Sequence, residues 1–222
     1  MSQPRLVPIA FASILAFAAC APAATPASAA PSAAASSVPK IPDPVAVQLD
    51  PATTAVLVLD ITNVICDPRP ACVASVPKIA ALLKKARDAK VALVAYSDTG
   101  GTSTVLSGVA PQPGDPKVSG RADKFFNTDL EKVLKDKGVK TVVVTGSAAH
   151  GAVLYTTFGA NERGMTAVVA EDGISVGTGA EAFGMTVAEW QVLNEPGFAN
   201  PTNKPLDPGH VTLSRTDLIS FK

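Results

Sequence analysis

Apolar runs of strand length alternate with helix-like stretches along most of the chain, and this alternation is what most constrains the fold. Four runs carry few polar side chains, as expected for strands buried on both faces of a sheet. They are residues 55–61, 91–96, 141–145 and 166–170. Segments with helical spacing separate them, and 210–214 follows as a further strand. Because strand–helix–strand units of this length make right-handed crossovers, the sequence predicts a three-layer α/β/α fold with a mostly parallel, doubly wound sheet.

Capping residues predict where two of the helices begin. Ser75 is placed to cap a helix with Pro77 in its first turn. Thr128 and Glu131 have the spacing of a capping box. Residues 99–121 lie between predicted elements, are rich in Gly, Ser and Pro, and show no clear period. A loop of that length inside a compact domain is often functional.

The N-terminus has the pattern of a bacterial export signal. Residues 1–19 combine one positive charge with an apolar stretch that is too short to span a bilayer comfortably, as in a signal peptide. Small residues come directly before Cys20 and resemble a lipobox, so Cys20 is expected to be lipidated; plain cleavage at a nearby small residue is the alternative. Residues 20–45 are rich in Ala, Pro and Ser and predict a flexible tether. The folded domain is expected over 46–222, in the periplasm or at the cell envelope.

The charge balance and the cysteine content limit which binding partners, metals and cofactors are expected. Lys+Arg and Asp+Glu number 19 each, so no basic surplus is present to neutralise phosphates and nucleic acid is not expected as a partner. A membrane is expected to be reached only through the N-terminal lipid. Cys66 and Cys72 either close a small disulfide loop in an oxidising compartment or remain free thiols. The sequence has no zinc-type Cys/His spacing and no phosphate-binding loop, so neither a metal nor a cofactor is expected.

Ligands of parallel sheets bind beyond the carboxyl ends of the strands, and three segments of this chain lie at such ends. They are Asp60 to Asn63, Ser97 with Asp98, and Gly146 to Ala152. Asp60 has the chemistry of a general acid, a base or a nucleophile, or it serves only as a structural cap. Main-chain amides at the start of a helix bind an oxyanion, and His150 suits proton transfer, although both features also occur for structural reasons alone.

A basic residue beside Asp60 would keep its carboxylate ionised and would stabilise developing negative charge. Lys124 is a candidate because it lies directly before two phenylalanines and a helix start. Lys117 and Arg121 compete for the same role. A solvated loop lysine is the alternative interpretation of Lys124.

Four segments, in this order, resemble the isochorismatase-like hydrolases, also called the cysteine hydrolase superfamily. Residues 58–63 resemble the family's run of an apolar residue, Asp, Met, Gln and Asn; residues 123–130 resemble Phe-x-Gly-Thr-x-Leu. Residues 143–153 resemble the strand–turn–helix with Gly-x-x-Thr-x-x-Cys-Val, and residues 171–173 resemble the Asp-Ala after the next strand. The resemblance covers the chain from about residue 52 to its end. It implies a parallel sheet sandwiched by helices, in agreement with the alternation above.

The resemblance implies hydrolysis of a small amide or, as in isochorismatases proper, of a vinyl ether without a thiol. Asp60 matches the catalytic Asp of the family, whereas Ala149 and Ala152 match its Thr and its nucleophilic Cys. The family's lysine spacing falls on Ser119, which leaves Lys124 as the nearby base. Because a methyl group has no lone pair with which to attack, the expected function is hydrolysis of an amide, ester or vinyl ether without a covalent Cys. Asp60 would be the acid/base and Lys124 its partner; a catalytically inactive binding domain on the same fold is the alternative.

Substrate or oxyanion contacts are expected from Asn63 and from the segment Ala148, Ala149, His150, Gly151 and Ala152. The resemblance also implies a cis peptide near Ser147–Ala148, a small-molecule substrate, and the formation of homo-oligomers. An Asp that ends the first strand begins the haloacid-dehalogenase phosphatase motif as well. Thr62 stands where that motif needs its second Asp, which argues against a magnesium-dependent phosphatase.

Overall fold

The structure, a computed structural model, describes residues 40–179 and 181–222. The predicted signal peptide, Cys20 and most of the predicted tether lie outside the described residues. The last residues of the predicted tether lie against the domain. The N–H of Val45 donates to the carbonyl of Leu213, and the side-chain amide of Asn203 donates to the carbonyl of Asp43. Within the described ranges no helix is long and apolar enough to cross a membrane.

Strands and helices alternate through the described residues. The strands are β1 Val47–Leu49, β2 Thr54–Leu59, β3 Leu93–Asp98, β4 Lys117–Ser119, β5 Thr141–Ser147, β6 Thr166–Ser175, β7 Val211–Ser214 and β8 Ile219–Phe221. The helices are α1 Asn63–Cys66, α2 Pro70–Asp88, α3 Leu130–Asp136, α4 Leu154–Glu162 and α5 Glu181–Asn194. Single turns of 3-10 helix cover Pro51–Thr53 and Ser107–Val109, and a π-helical turn, Ala149–Val153, leads into α4.

Six strands form one parallel sheet in the order β4-β3-β2-β5-β6-β7, with β2 and β5 at its centre. Helices cover both faces. Leu134 and Leu193, from α3 and α5, belong to the apolar core on one face. Leu82 of α2 and Ile219 of β8 belong to the core on the other face. The predicted three-layer, doubly wound α/β/α fold is therefore confirmed, and a separate parallel pair of β1 and β8 is added to it.

The predicted start of α2 is wrong. The helix begins at Pro70, where a residue without an N–H fits the first turn at no loss of a hydrogen bond. Ser75 lies inside the helix and its hydroxyl donates to the carbonyl of Cys72 over 2.7 Å. Pro77 is likewise inside the helix rather than in its first turn.

The predicted capping box at α3 does not form. The N-cap is Asp129, and the hydroxyl of Thr128 accepts from the N–H of Leu130 over 3.2 Å. The carboxylate of Glu131 instead pairs with Lys135 and Arg163, because both cations lie within reach on the same surface. The helix begins after Asp129, so Glu131 is its second residue and not the third, as the capping box requires.

Cys66 and Cys72 form a disulfide, so of the two alternatives for these residues the paired one holds. The bond joins the end of α1 to the first turn of α2, and both cysteines are buried. It therefore fixes the segment that directly follows the carboxyl end of β2.

Candidate active site at the carboxyl ends of the strands

Asp60 lies immediately beyond β2, at the centre of the sheet. Its N–H donates to the carbonyl of Ser97 over 3.2 Å, which continues the ladder to β3 by one residue. Its φ of 56° is in the left-handed region, which Asp tolerates better than most residues and which turns the chain out of the strand. The residue is only 4% exposed, so its carboxyl group is held inside the protein at the edge where parallel sheets bind ligands.

Lys124 is the base that meets this carboxylate. Its Nζ lies 2.8 Å from Oδ2 of Asp60 and donates to the carbonyls of Gly120 at 2.8 Å and Asp98 at 3.4 Å. An ammonium group has three donors, so these acceptors account for all of them. The side chain is 0% exposed, and the interpretation of Lys124 as a solvated loop lysine is therefore wrong.

The two competing cations are placed elsewhere. Nζ of Lys117 lies 2.6 Å from Oδ2 of Asp98, at the end of the neighbouring strand, and Arg121 is exposed. Burial acts to raise the pKa of the Asp98 carboxyl, but hydrogen bonds from Lys117, Ser119 and the N–H of Gly100 outweigh it and the pKa is lowered. The described residues thus include two neighbouring acid–lysine pairs. Lys124 of the Asp60 pair is fully buried, whereas Lys117 of the Asp98 pair is exposed to solvent.

Ser97 completes the surroundings of Asp60. Its hydroxyl donates to Oδ1 over 2.8 Å, so each carboxylate oxygen has one strong donor. Burial nevertheless raises the pKa of the Asp60 carboxyl, since desolvation outweighs the lowering by Lys124 and by Ser97, and the nearby charge of Asp98 raises the pKa further. A carboxyl group with a raised pKa that sits between two donors has the chemistry of a proton shuttle.

The turn after β5 lies beside Asp60. Gly146 pairs with Leu59, the residue before Asp60, and a Cβ atom on Gly146 would lie 2.1 Å from the carbonyl oxygen of Leu59. Glycine is required there, because the φ of 138° and this close approach exclude a side chain. The predicted cis peptide between Ser147 and Ala148 is present.

Within that turn the carbonyl of Ala148 accepts from the N–H groups of Gly151 at 2.9 Å and Val153 at 3.3 Å. Those two donors close the turn, so the amide of Gly151 is already engaged and is not free to bind an oxyanion. Ala149 and Ala152 are buried, whereas His150 is exposed. The π-helical turn therefore brings small side chains, and not an imidazole, to the interior.

Asn63 does not join this group. Its Oδ1 accepts from the N–H of Thr104 over 2.8 Å, and its own N–H donates to the carbonyl of Thr104 over 2.9 Å. The side chain thus fastens the loop after β3 to the start of α1. The Oδ1 atom of Asn63 is therefore engaged in a loop contact, and the substrate contact from Asn63 stays a prediction.

Sequence reasoning identified the segment of Ser97 as a strand end but missed its hydroxyl as a partner of Asp60. It missed Thr156 altogether: this buried side chain of α4 accepts from the N–H of Lys124. Ser97 could have been found, because strand ends of a parallel sheet meet at one edge. The role of Thr156 could not be predicted, since the sequence does not distinguish a buried helical threonine that bonds to another segment from one that only packs.

Several buried hydroxyls at this edge have no hydrogen-bond partner among the residues that the structure describes. They are Thr62 and Ser103 in the loops after β2 and β3, and Ser147 and Ser175 at the ends of β5 and β6. The last two are register partners in the sheet. Buried hydroxyls are nearly always satisfied, so these groups are available to polar atoms of a ligand or of water. Across the described ranges, no group of three or more acidic, His or Cys side chains is placed to hold a metal ion.

A buried Asp–Lys pair directly after a central strand, beside a turn that leads into a helix, is the arrangement that the resemblance to isochorismatase-like hydrolases implies. The chain belongs to the isochorismatase family: the model of the isochorismatase domain matches residues 54–191.

The chain is also similar to known proteins, to one in sequence over part of its length and to others in fold. It is 31% identical over 113 residues to the secreted isochorismatase effector Isc1 of Verticillium dahliae, a match that covers 46% of this chain and 60% of that protein. The fold is similar to a cysteine hydrolase from Pseudomonas syringae pv. phaseolicola (TM-score 0.63, 22% identity, 79% of this chain and 94% of that one). It is also similar to N-carbamoylsarcosine amidase from Thermoplasma acidophilum (TM-score 0.59, 19% identity, 74% and 97% coverage).

Proposed function

We propose that this protein hydrolyses a small, uncharged amide, ester or vinyl ether without a covalent cysteine intermediate, with Asp60 as the acid/base. The observation that carries the proposal is the buried contact of 2.8 Å between Asp60 and Lys124. A buried ion pair contributes little net stability, because its desolvation offsets its attraction. Its presence at the ligand-binding edge of the sheet is therefore better explained by chemistry than by folding.

In amide or ester hydrolysis the ionised Asp60 removes a proton from water while the water oxygen bonds to the substrate carbonyl carbon. Main-chain N–H groups of the turn after β5 stabilise the oxyanion; with Gly151 engaged, Ala148, Ala149, His150 and Ala152 are the candidates. The neutral Asp60 then returns the proton to the leaving group as its bond to carbon breaks. In a vinyl ether the neutral Asp60 acts first and protonates the terminal vinyl carbon. Water then adds to the oxocarbenium ion and returns a proton to Asp60, and the resulting hemiketal breaks its C–O bond to give a carbonyl compound and an alcohol.

Each partner of Asp60 has a part in this cycle. Lys124 stabilises the carboxylate that accepts the proton, and Ser97 orients the oxygen that Lys124 does not hold. The raised pKa keeps proton return to the leaving group favourable. The buried hydroxyls of Ser147 and Ser175, which have no partner among the described residues, are further hydrogen-bonding groups at this edge of the sheet.

A non-catalytic binding domain is the second candidate, and the residue that favours it is Ala152. It lies in the turn after the cis peptide, where a thiol would stand in a family member that uses one, and it is 4% exposed. If catalysis has been lost, the same edge of the sheet recognises a small polar ligand without turnover.

Product formation from a panel of primary amides, carbamoyl compounds, esters and vinyl ethers, followed by mass spectrometry, tests the proposal. We expect turnover of one class, a loss of about 10²–10⁴-fold in Asp60→Asn, and no inhibition by iodoacetamide. Asp115→Asn is the matched control, because it removes a carboxylate that is paired with Arg87 away from the site. Equal turnover by wild type and Asp60→Asn would remove Asp60 from the mechanism. Ligand binding without turnover of any class would select the binding domain.

We also propose that the domain works outside the cytoplasm, held to the cell envelope by a lipid on Cys20. The disulfide between Cys66 and Cys72 supports an oxidising compartment. The Verticillium relative is named as a secreted effector, which also supports a location outside the cytoplasm. Metabolic labelling with a radioactive fatty acid tests this: the label should be incorporated by the full chain and be absent from Cys20→Ser.

A further inference from the structure

Two hydroxyl groups hold the main chain of Lys124: Thr128 donates to its carbonyl, and Thr156 bonds on its N–H side. The N–H of Lys124 donates to Oγ1 of Thr156 over 3.2 Å, and the hydroxyl of Thr156 donates in turn to the carbonyl of Ala122 over 3.3 Å. Thr156 is fully buried. It therefore acts as a clasp across the two peptide groups that precede the Lys124 side chain.

The residues next to Lys124 are held by the same face of α4. A Cβ atom on Gly159 would lie 2.8 Å from the ring of Phe125 and 3.1 Å from Oδ1 of Asp123, so the segment packs directly on the helix backbone. The guanidinium of Arg163 lies 4.3 Å from the centre of the Phe125 ring. Positions 156, 159 and 163 share one side of a helix, which makes this a continuous contact surface.

The helix that holds Lys124 is also the helix that begins at the cis-peptide turn. Thr156 follows Ala152 by four residues, about one turn of helix. α4 begins at Leu154, two residues after Ala152, so only a short stretch of chain separates the turn's amides from the residue that contacts the segment of Lys124. A shift of either end relative to the other would change the contact of Lys124 with Asp60.

We propose that Thr156 is a positioning residue that sets the contact between Lys124 and Asp60 through its clasp on the main chain of Ala122 and Lys124. The inference deepens the proposed function, since it assigns a role in that same site to a residue that does not touch the reacting groups. Loss of the hydroxyl leaves the buried N–H of Lys124 without its partner, and the segment must move to find another.

The chain supplies a matched control in the next residue. Thr157 is also a buried threonine of α4, but its hydroxyl has no hydrogen-bond partner among the described residues. Thr156→Val and Thr157→Val are therefore the same chemical change one residue apart. Only Thr156→Val removes the two hydrogen bonds to the main chain of Ala122 and Lys124, and Thr156→Ser should keep them.

The pKa of the Asp60 carboxyl, followed by ¹³C NMR and assigned by its absence in Asp60→Asn, is a measurement that needs no substrate. We expect Thr156→Val to raise that pKa by about 1 unit, because the lysine's lowering effect weakens with distance. Thr156→Ser and Thr157→Val should stay within about 0.3 units of wild type, well inside that effect. If a substrate is found, kcat of Thr156→Val should fall with a shifted pH profile while KM changes little.

Thr156 would be a merely structural residue if Thr156→Val lowers thermal stability but leaves the Asp60 pKa unchanged. Equal shifts in the two valine variants would also overturn the proposal, since any disturbance of α4 would then suffice. If Thr156→Val does not fold, Arg163→Met tests the same contact surface at its less buried end. The pKa of the Asp60 carboxyl should then rise by a smaller amount than expected for Thr156→Val. No shift in Arg163→Met would count against the proposal. The titration of Asp60 needs no substrate, so it can be interpreted even if no hydrolase activity is found. The proposed role of Thr156 and the proposed hydrolase function can therefore fail independently of each other.

Discussion

Ser97 and Asp60 are joined by a hydrogen bond of 2.8 Å from the serine hydroxyl to Oδ1, on the carboxylate oxygen that Lys124 does not contact. Ser97 pairs across the sheet with Leu59, the residue before Asp60, so the sheet itself sets the separation of Ser97 and Asp60. The carboxylate is thereby held from both sides by donors that differ in charge. Each donor can be removed separately, and the two removals have different expected results.

Removal of the neutral donor in Ser97→Ala should raise the pKa of Asp60. The bond stabilises the ionised form, so its loss favours the proton, by about 0.5–1 unit for a neutral donor. The acidic limb of the pH–rate profile, or the NMR titration of Asp60, should move to higher pH by that amount. Ser119→Ala is the control, because it removes the corresponding hydroxyl from Asp98. An unshifted Asp60 titration would show that the bond is not made in solution.

Removal of the charged donor in Lys124→Met should make stability depend on pH. Without the cation the folded-state pKa of Asp60 rises further above its unfolded value, so the folded protein binds the proton more tightly than the unfolded chain does. The contribution of this proton to the free energy of unfolding is then fully present below the pKa of Asp60 in the unfolded chain, near 4. It is lost as the pH rises through the pKa of Asp60 in the folded protein. Urea unfolding from pH 4 to 8 should show the free energy of unfolding of Lys124→Met falling more steeply than that of wild type. The double variant with Asp60→Asn should remove the extra slope; an unchanged slope would mean that another group is responsible.

The alternation of apolar runs was sufficient to predict the α/β layers, because buried parallel strands and amphipathic helices have different periods. It failed at helix starts. Ser75 has the chemistry of an N-cap, yet Pro70 begins α2 five residues earlier, and sequence alone could not weigh a disulfide that anchors the first turn. The pair β1–β8 joins the two ends of the domain, and no local pattern encodes a pairing between residues so far apart.

The site was predicted in part for the same reason. Asp60 and the turn at Gly146 follow long strands, so their position at one edge was predictable from strand ends. Lys124 could not be separated from Lys117 by spacing, because the position of Lys124 depends on a tertiary contact with α4 while Lys117 lies in the short strand β4, which no sequence pattern predicted. The exposed side chain of His150 and the contact of Asn63 with Thr104 are also set by these loops and not by the strands.

The disulfide between Cys66 and Cys72 should stabilise the folded chain. It closes a short loop, and the chain-entropy estimate for such a loop is about 2 kcal/mol. The variant with both Cys66→Ser and Cys72→Ser should lower the free energy of unfolding in urea by about that amount, with no further loss on addition of dithiothreitol. Wild type should lose the same amount when reduced. Identical urea curves for reduced and oxidised wild type would show that the bond does not form or does not constrain the unfolded chain.

Glu189 of α5 should titrate near neutral pH. Burial, with a smaller contribution from the charge of Glu171, raises the pKa of its carboxyl from 4.5 to about 7. The folded protein therefore holds this proton more tightly than the unfolded chain, and the associated stability is present below about pH 4.5 and is lost as pH rises through about 7. Glu189→Gln removes the titration, so it should be more stable than wild type at pH 8, by about 1 kcal/mol after allowance for partial exposure, and nearly equal at pH 5. Thermal unfolding across this range measures the difference, with Glu162→Gln on the exposed end of α4 as the control. Parallel curves for wild type and Glu189→Gln would contradict the raised pKa.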